Sequence, residues 1–534
     1  MKTLYFGGPI LTMSDPLYVQ AVLVEGGNIL AAGSLDRLEA MDAGRRVDLK
    51  GSTLLPGFID PHSHFSQMAS ACLQVSLEGA GSVEEIAQRI GRFLSETSPS
   101  PGSWVAARDY DNNRMPGLAD PTLEQLDAMA PGHPLVIHHK SGHMGLMNSA
   151  ALSALWITPE TPVPPGGKIG VKDRCLTGYL EENAFFTYLK QLPPTPPDQL
   201  LSAYARAQEQ YAAHGITTIQ DGMAVEEMFP MYQMLLDSGI LKLDLVVYPS
   251  PQAYDAAAER FGALPPERHL RIGGMKVYLD GSPQGRTAWM REPYAGEADY
   301  RGYGTMEDAA LEEAMELACL RRTQLLCHCN GDGAAEQFLR CLARVEQKHP
   351  EMAQLRPVII HGQLLAPDQL PRVKELGAVV SFFVAHVYHW GDVHLRNFGP
   401  ERASRISPAR SALELGIPFT FHQDAPVIQP DMLETLWCAA NRRTQSGVHL
   451  GPEEEIPVLD ALRAVTTSAA FQYFRERELG AIAPGMAADF FLVDFDRIEM
   501  VDRDPLTVPK EALREIQVMA ACKGGEWVYQ KNSL

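Results

Sequence analysis

Two histidines one residue apart, His62 and His64, close the stretch Pro56-Gly57-Phe58-Ile59-Asp60-Pro61-His62-Ser63-His64-Phe65. Side chains alternate along a strand, so an H-x-H pair on a strand turns both imidazoles to one side and Ser63 to the other. Two imidazoles on one face can grip one metal ion. The run Leu54-Leu55, Pro56-Gly57, Phe58-Ile59 reads as a buried strand, entered at Pro56-Gly57 and ended by Pro61. Taken alone, the pair could equally be two histidines at a loop mouth. Further along, however, strand-like runs end in Lys276, His328, His361 and Asp424, each of a type that can ligate a metal or be made to. Imidazole nitrogen and carboxylate oxygen suit Zn²⁺ and its neighbours, with one position left open for water. A bound metal brings the pKa of that water to about 7, giving a hydroxide nucleophile near neutral pH.

The elements that must position these groups alternate between strand and helix. A helix is predicted over 198–213, with apolar Leu200, Leu201, Tyr204 and Tyr211, stopped by Gly215. Strands follow at 215–221, 241–248, 274–279, 325–329, 358–361, 379–384 and 418–422. Ala334, Ala335, Phe338, Leu339, Leu342 and Val345 give the segment after His328 one apolar helical face. Counting the strand before His62, eight parallel strands with crossover helices close an α/β (β/α)₈ TIM-like barrel, whose active site lies at the carboxyl ends of its strands. Residues 1–55 and the segment from 479 read as all-β, and neither has enough strands for a sheet of its own. The predicted organisation is therefore a small composite β-sandwich domain (1–55 plus 479–534), the barrel (56–65 plus 198–478), and an inserted α/β subdomain (66–197) covering the barrel mouth.

The 534 residues carry a formal net charge of −20, which argues against phosphate backbones and anionic membrane surfaces as partners. No run of eighteen apolar residues exists to span a membrane, and Gly7-Gly8-Pro9 interrupts anything like a secretory signal. The eight cysteines form no disulfide-like framework, and Cys327 and Cys329 read as small buried hydrophobes in a reducing compartment. The expected setting is the cytoplasm. The expected partners are a small-molecule substrate and a second copy of the chain in a homodimer, with neither nucleic acid nor membrane.

Several stretches together resemble the amidohydrolase superfamily: PGFIDPHSHF at 56–65, HQDAPV at 422–427, HMGLMNSAAL at 143–152 and LGAIAPGMAAD at 479–489. Within it the chain is similar to amidohydrolase family 3, the metal-dependent hydrolases that include N-substituted formamide deformylases. The resemblance implies two divalent metal ions, most simply zinc. His62, His64 and Asp424 would hold one, His328 and His361 the second, and Lys276 would bridge both as an N6-carboxylated side chain. A lysine in a dry, cationic pocket loses its proton more easily, as a ligand must. The competing reading makes Lys276 a structural lysine paired with Asp280 or another acid.

The implied activity is hydrolysis of an amide-type C–N bond, with Asp424 taking the proton of the attacking water and delivering it to the leaving amine. The alternatives are a deaminase or a cyclic-amide hydrolase of the imidazolone or dihydropyrimidine type, and a non-catalytic scaffold of the same fold. Deaminases tend to carry an acid three residues after the fifth-strand histidine; here that position is Gly331 and the acid is Asp332. A scaffold would have lost ligands, and none is lost. His386 and His389, after the seventh strand, Arg286 in the loop 281–304 and His143 in the insertion are further candidates for substrate contact.

Overall fold

The computed structural model describes residues 2–112, 115–139, 144–496, 498 and 503–531. The chain forms two compact units, one from residues 1–66 and 207–534 and the other Gln67–Arg206.

In the first unit, eight parallel strands follow one another in chain order. They are Phe58–Ile59, Ile216–Ala224, Asp244–Pro249, a fourth strand in two pieces (Leu270–Ile272 and Gly274–Tyr278), Gln324–Cys329, Val358–His361, Val379–Phe382 and Phe419–Phe421. Gly273 divides the fourth strand. A Cβ there would stand 2.5 Å from the Tyr248 ring, yet its N–H still reaches Val247 O at 2.9 Å. Past the ends of the eighth and first strands, His64 N–H donates to Ala425 O at 2.9 Å. Lower down, Gln472 links the same two segments, accepting from Thr420 Oγ1 at 2.8 Å and donating to Pro61 O at 3.0 Å. The strands are largely buried on both faces; Val358, Ile359 and Ile360 are all fully buried. That is the pattern of a parallel sheet covered by helices. The crossover helix Asp332–Lys348 buries Phe338, Leu339, Leu342 and Val345, the face expected from its periodicity.

The apolar run before His62 does not form one strand. Thr53–Pro56 joins a different sheet, pairing antiparallel with Phe490–Asp494, and only Phe58–Ile59 enters the barrel. Gly57 marks the division and lies against Thr217, whose Oγ1 would be 2.4 Å from a Cβ. Pro61 has no N–H to donate, so the first barrel strand stops at Ile59. His62 and His64 therefore sit beyond the strand, on an extended turn.

Both ends of the chain contribute to the other sheet of this unit, an eight-stranded array in the order Glu526–Gln530, Gln517–Lys523, Phe490–Asp494, Thr53–Pro56, Lys2–Leu11, Tyr18–Glu25 and Asn28–Gly33, with Arg45–Asp48 beside Lys2–Leu11. It curls over itself: the Tyr5 and Trp527 rings lie 6.2 Å apart although three strands separate theirs in the order. The second unit is built on a six-stranded sheet that includes Val105–Tyr110 and Leu135–His139. Its core gathers Ile86, Ile90, Leu126, Ile137 and Leu146. Among the described residues no helix is long and apolar enough to cross a membrane.

A buried ionic cluster ties the terminal sheet to the foot of the barrel. Lys523 Nζ lies 2.7 Å from Asp244 Oδ2 and 2.6 Å from Asp489 Oδ2, and Arg475 Nη1 is 2.6 Å from Asp244 Oδ2. Burial disfavours the ionised Asp244, but the Lys523 and Arg475 charges and the His269 hydrogen bond win, holding its carboxyl well below the usual range. Lys523→Met leaves two buried carboxylates short of a cation and should cost about 3–5 kcal/mol, read as a lower urea midpoint. Because the folded pKa of Asp244 is depressed, its contribution to stability is complete above about pH 4 and is lost as the pH falls through the folded value. The acid limb of the wild-type stability profile should accordingly shrink in Asp244→Asn.

Candidate metal centre

His62, His64 and Asp424 meet at one point inside the barrel mouth, their ligating atoms within 4.8 Å of one another. Asp424 Oδ1 is 3.3 Å from Nε2 of His62 and 3.3 Å from Nε2 of His64. The opposite nitrogen of each ring decides where the proton sits. His62 Nδ1 donates to Gln220 Oε1 at 2.7 Å; the Gln220 amide is itself oriented by donating Nε2–H to Pro61 O at 2.7 Å and to Tyr473 Oη at 2.9 Å. His64 Nδ1 donates to the Gly222 carbonyl at 3.1 Å. Both partners are acceptors only, so in the neutral rings both Nε2 atoms carry lone pairs. Burial, with the Lys276 charge beside it, pushes the His62 imidazolium down to about 3, so the ring is neutral. Two nitrogen lone pairs and a buried carboxylate oxygen that makes no hydrogen bond thus face one another. A divalent cation satisfies all three.

Lys276 is fully buried on the fourth strand, its Nζ 2.8 Å from His62 Nε2. Desolvation lowers its ammonium to about 8. It does not pair with Asp280. That carboxylate instead accepts from Asn330 N at 2.9 Å, Gly331 N at 2.7 Å and Trp289 N at 3.0 Å, and from His328 Nδ1 at 3.1 Å. Asp280 therefore turns the His328 Nε2 lone pair towards the lumen, where Asn330 Nδ2 lies 3.2 Å from it. The rings of His328 and His361 are 4.6 Å apart, and His361 Nε2 is 3.9 Å from Asp424 Oδ2. His361 sits more loosely against Asp424 than His62 and His64 do. His361 Nδ1 is 3.1 Å from His422 Nε2, and His422 Nδ1 is 2.8 Å from Ser381 Oγ.

The backbone here is under constraint. His361 has φ 73° and Asp424 φ 56°, in the left-handed region that non-glycine residues seldom occupy. Gly222 has no room for a side chain; a Cβ would stand 3.1 Å from His62 Cε1 and 3.3 Å from Lys276 Nζ.

The remaining candidates are placed differently. Arg286 is ion-paired with Glu297 at 2.8 Å, both side chains more than a third exposed. His386 is buried with its ring 4.6 Å from Phe383 and its Nδ1 3.0 Å from His394 Nε2, and His389 Nε2 meets Glu434 at 2.8 Å. His143 lies outside the described residues. Asp332 opens the helix after His328 and accepts from Arg291 N at 2.8 Å and Arg291 Nε at 3.2 Å, so it is spoken for by arginine. The orienting groups Gln220, Asp280 and the His422–Ser381 pair were not identified as such from sequence. Their one signal is position: Asp280 and His422 lie just past the carboxyl ends of barrel strands, and Gln220 is a polar residue inside the buried strand Ile216–Ala224.

If Gln220 fixes the His62 tautomer, Gln220→Leu should weaken metal binding about 10–100-fold, measured by chelator competition, while the fold persists. Unchanged affinity would show that the ring is held by packing alone.

Residues 45–529 match the family model described as the amidohydrolase family. The chain is 26% identical to YtcJ of Bacillus subtilis (strain 168) over 553 residues, covering 100% of both chains. It is 26% identical to the N-substituted formamide deformylase of Arthrobacter pascens over 532 residues, 96% of this chain and 95% of that one. Among solved structures, a metal-dependent hydrolase from Pyrococcus horikoshii OT3 superposes with a TM-score of 0.75 at 24% identity, covering 96% of this chain and 99% of that chain.

Proposed function

The chain belongs to the amidohydrolase family, and from that premise we propose that it hydrolyses an amide-type C–N bond of a small molecule with the help of two divalent metal ions. The observation that carries this reading is the meeting of two proton-free imidazole nitrogens with the unbonded Asp424 Oδ1, beside a lysine whose ammonium is destabilised by burial. His62, His64 and Asp424 are assigned to one ion, and His328 and His361 to the other. Lys276 is assigned between them as the N6-carboxylate. With its ammonium lowered to about 8, the side chain can give up one proton and add to carbon dioxide as the free amine: the N–C bond forms, a second proton leaves the nitrogen, and a cation becomes an anionic ligand. When bound, such ions acidify a water and polarise a carbonyl.

The chain's own groups supply the rest. Asp424 has one oxygen beside His62 and His64 and the other towards His361, so it can take a proton from the attacking water and hand it to the departing nitrogen. Burial lowers the imidazolium of His62 and His361, so these two rings do not compete for that proton. The related formamide deformylase supports amide cleavage as the reaction class. Against the deaminase alternative stands Asp332, engaged by Arg291. Against the scaffold alternative stands the full set of ligand residues.

Asp424→Asn keeps a ligating oxygen and loses the proton acceptor, so kcat should fall about 10²–10⁴-fold with most of the metal retained. Near-normal kcat with metal in place would move the proton acceptor elsewhere. Elemental analysis of the wild type should find close to two equivalents of zinc or a similar ion. Lys276→Ala should lose metal and activity together, with partial rescue by a short carboxylic acid; full activity in that variant would make the lysine structural.

A further inference from the structure

The centre adjoins a cavity that none of its ligands lines. It has a volume of about 550 Å³ and lies between the carboxyl ends of the second, third and fourth barrel strands and the helix Asp308–Arg321. Met223, Val277, Tyr278, Ala310, Glu313 and Leu317 are among its walls. Two of these are chain neighbours of site residues. Met223 follows Gly222, the residue packed against His62 and Lys276, and is the extra residue of a β-bulge with φ 63°. A bulge in the left-handed region re-aims a side chain at a backbone cost, and strain of this kind gathers at functional sites. Tyr278 lies two residues after Lys276, its ring 5.1 Å from that of His328. It therefore touches both the centre and the cavity.

The lining is predominantly apolar and contains no lysine, arginine or histidine. Glu313 is its one carboxylate. An anionic group placed here would have no cation to pair with and would stand next to a carboxylate.

We infer that this cavity binds the substrate's substituent, and that the substituent is apolar and uncharged, so the substrates are amides with a neutral hydrocarbon arm rather than acylated amino acids. The proposal rests on the amide-hydrolase reading only for the group that sits at the mouth of the cavity.

N-alkylureas, which have the shape of an amide and resist hydrolysis, test binding apart from chemistry. Calorimetry on the metal-replete protein should show affinity rising about fourfold for each methylene from methyl to hexyl, the worth of a buried CH₂. N-(5-carboxypentyl)urea should bind on the order of 10²-fold more weakly than N-hexylurea. Ala310 is exposed, so Ala310→Phe can narrow the cavity without disturbing the core and should flatten the chain-length dependence; Glu313→Lys should recover much of the binding of the carboxylate. Turnover of N-alkylformamides set against straight-chain alkanamides then tells whether the arm lies on the amine or the acyl side. A flat chain-length series in the wild type, an unchanged slope in Ala310→Phe, or equal affinity for the carboxylate would each overturn the inference. A steep series with no amide hydrolysed would leave the cavity assignment standing and bring down the proposed reaction instead.

Discussion

Two imidazole Nε2 lone pairs and a carboxylate oxygen, 3.3 Å from nitrogen to oxygen in each case, converge where Asp424 Oδ1 has no hydrogen-bond donor and His62 Nε2 has the Lys276 Nζ beside it at 2.8 Å. Buried acceptors without partners are costly, and here they are arranged rather than accidental. Gln220 and the Gly222 carbonyl draw the histidine protons away from the centre, and Tyr473 and Pro61 hold Gln220 in the orientation that does so. Tyr473 in turn donates to Asp60 O at 2.8 Å, two residues before His62. The chain has invested several ordered groups in presenting electron pairs to one point. The same arrangement explains why Lys276 sits where burial makes its ammonium unfavourable.

Holding that arrangement requires backbone conformations the chain would not choose. His361 and Asp424 are both left-handed, each at or beyond the end of a barrel strand. Each such residue costs on the order of 1–3 kcal/mol. The offset comes from the strands below them: Val358 to Ile360 and Phe421 are completely buried, so the chain is fixed up to the residue where it turns. Strain at the rim and close packing beneath it are two sides of one design, and they fix the backbone at His361 and Asp424.

The sequence was most informative where packing and chemistry coincide. Apolar runs that end in His328 and His361 are legible because a strand buried on both faces has no other reason to end in imidazole, and the sixth strand begins and ends where its pattern says. The helix after His328 was legible from its apolar spacing. The region around His62 was legible in its division between the β domain and the barrel at 55/56, but the apolar run was read as one strand carrying His62 and His64, whereas the barrel strand stops at Ile59. Leu54-Leu55 and Phe58-Ile59 look continuous, yet Gly57 sends them to different sheets. The orienting shell was illegible for another reason. Gln220 meets His62 across 158 positions and Asp280 meets His328 across 48, and polar residues at strand ends are too common to be paired by type alone. Asp280 was thus considered as a partner for Lys276, four residues away, when the barrel turns it towards the next strand.

In the proposed reading, chemistry and recognition draw on different parts of this barrel. The converging ligands stand at or next to the ends of buried strands, where a substitution disturbs the core as well as the centre. The cavity beside them is walled largely by the solvent-facing upper part of one crossover helix and by loop residues such as Pro251, Gln252 and Thr305. Positions of that kind, Ala310 and Glu313 among them, can change size or charge at little cost to stability, because exposed helical sites carry little packing energy. Tyr278 is the exception, since it packs against His328 on one side and faces the cavity on the other. A fold so divided can keep one set of ligands and exchange what it binds, with Tyr278 marking the boundary across which the two cannot be altered independently.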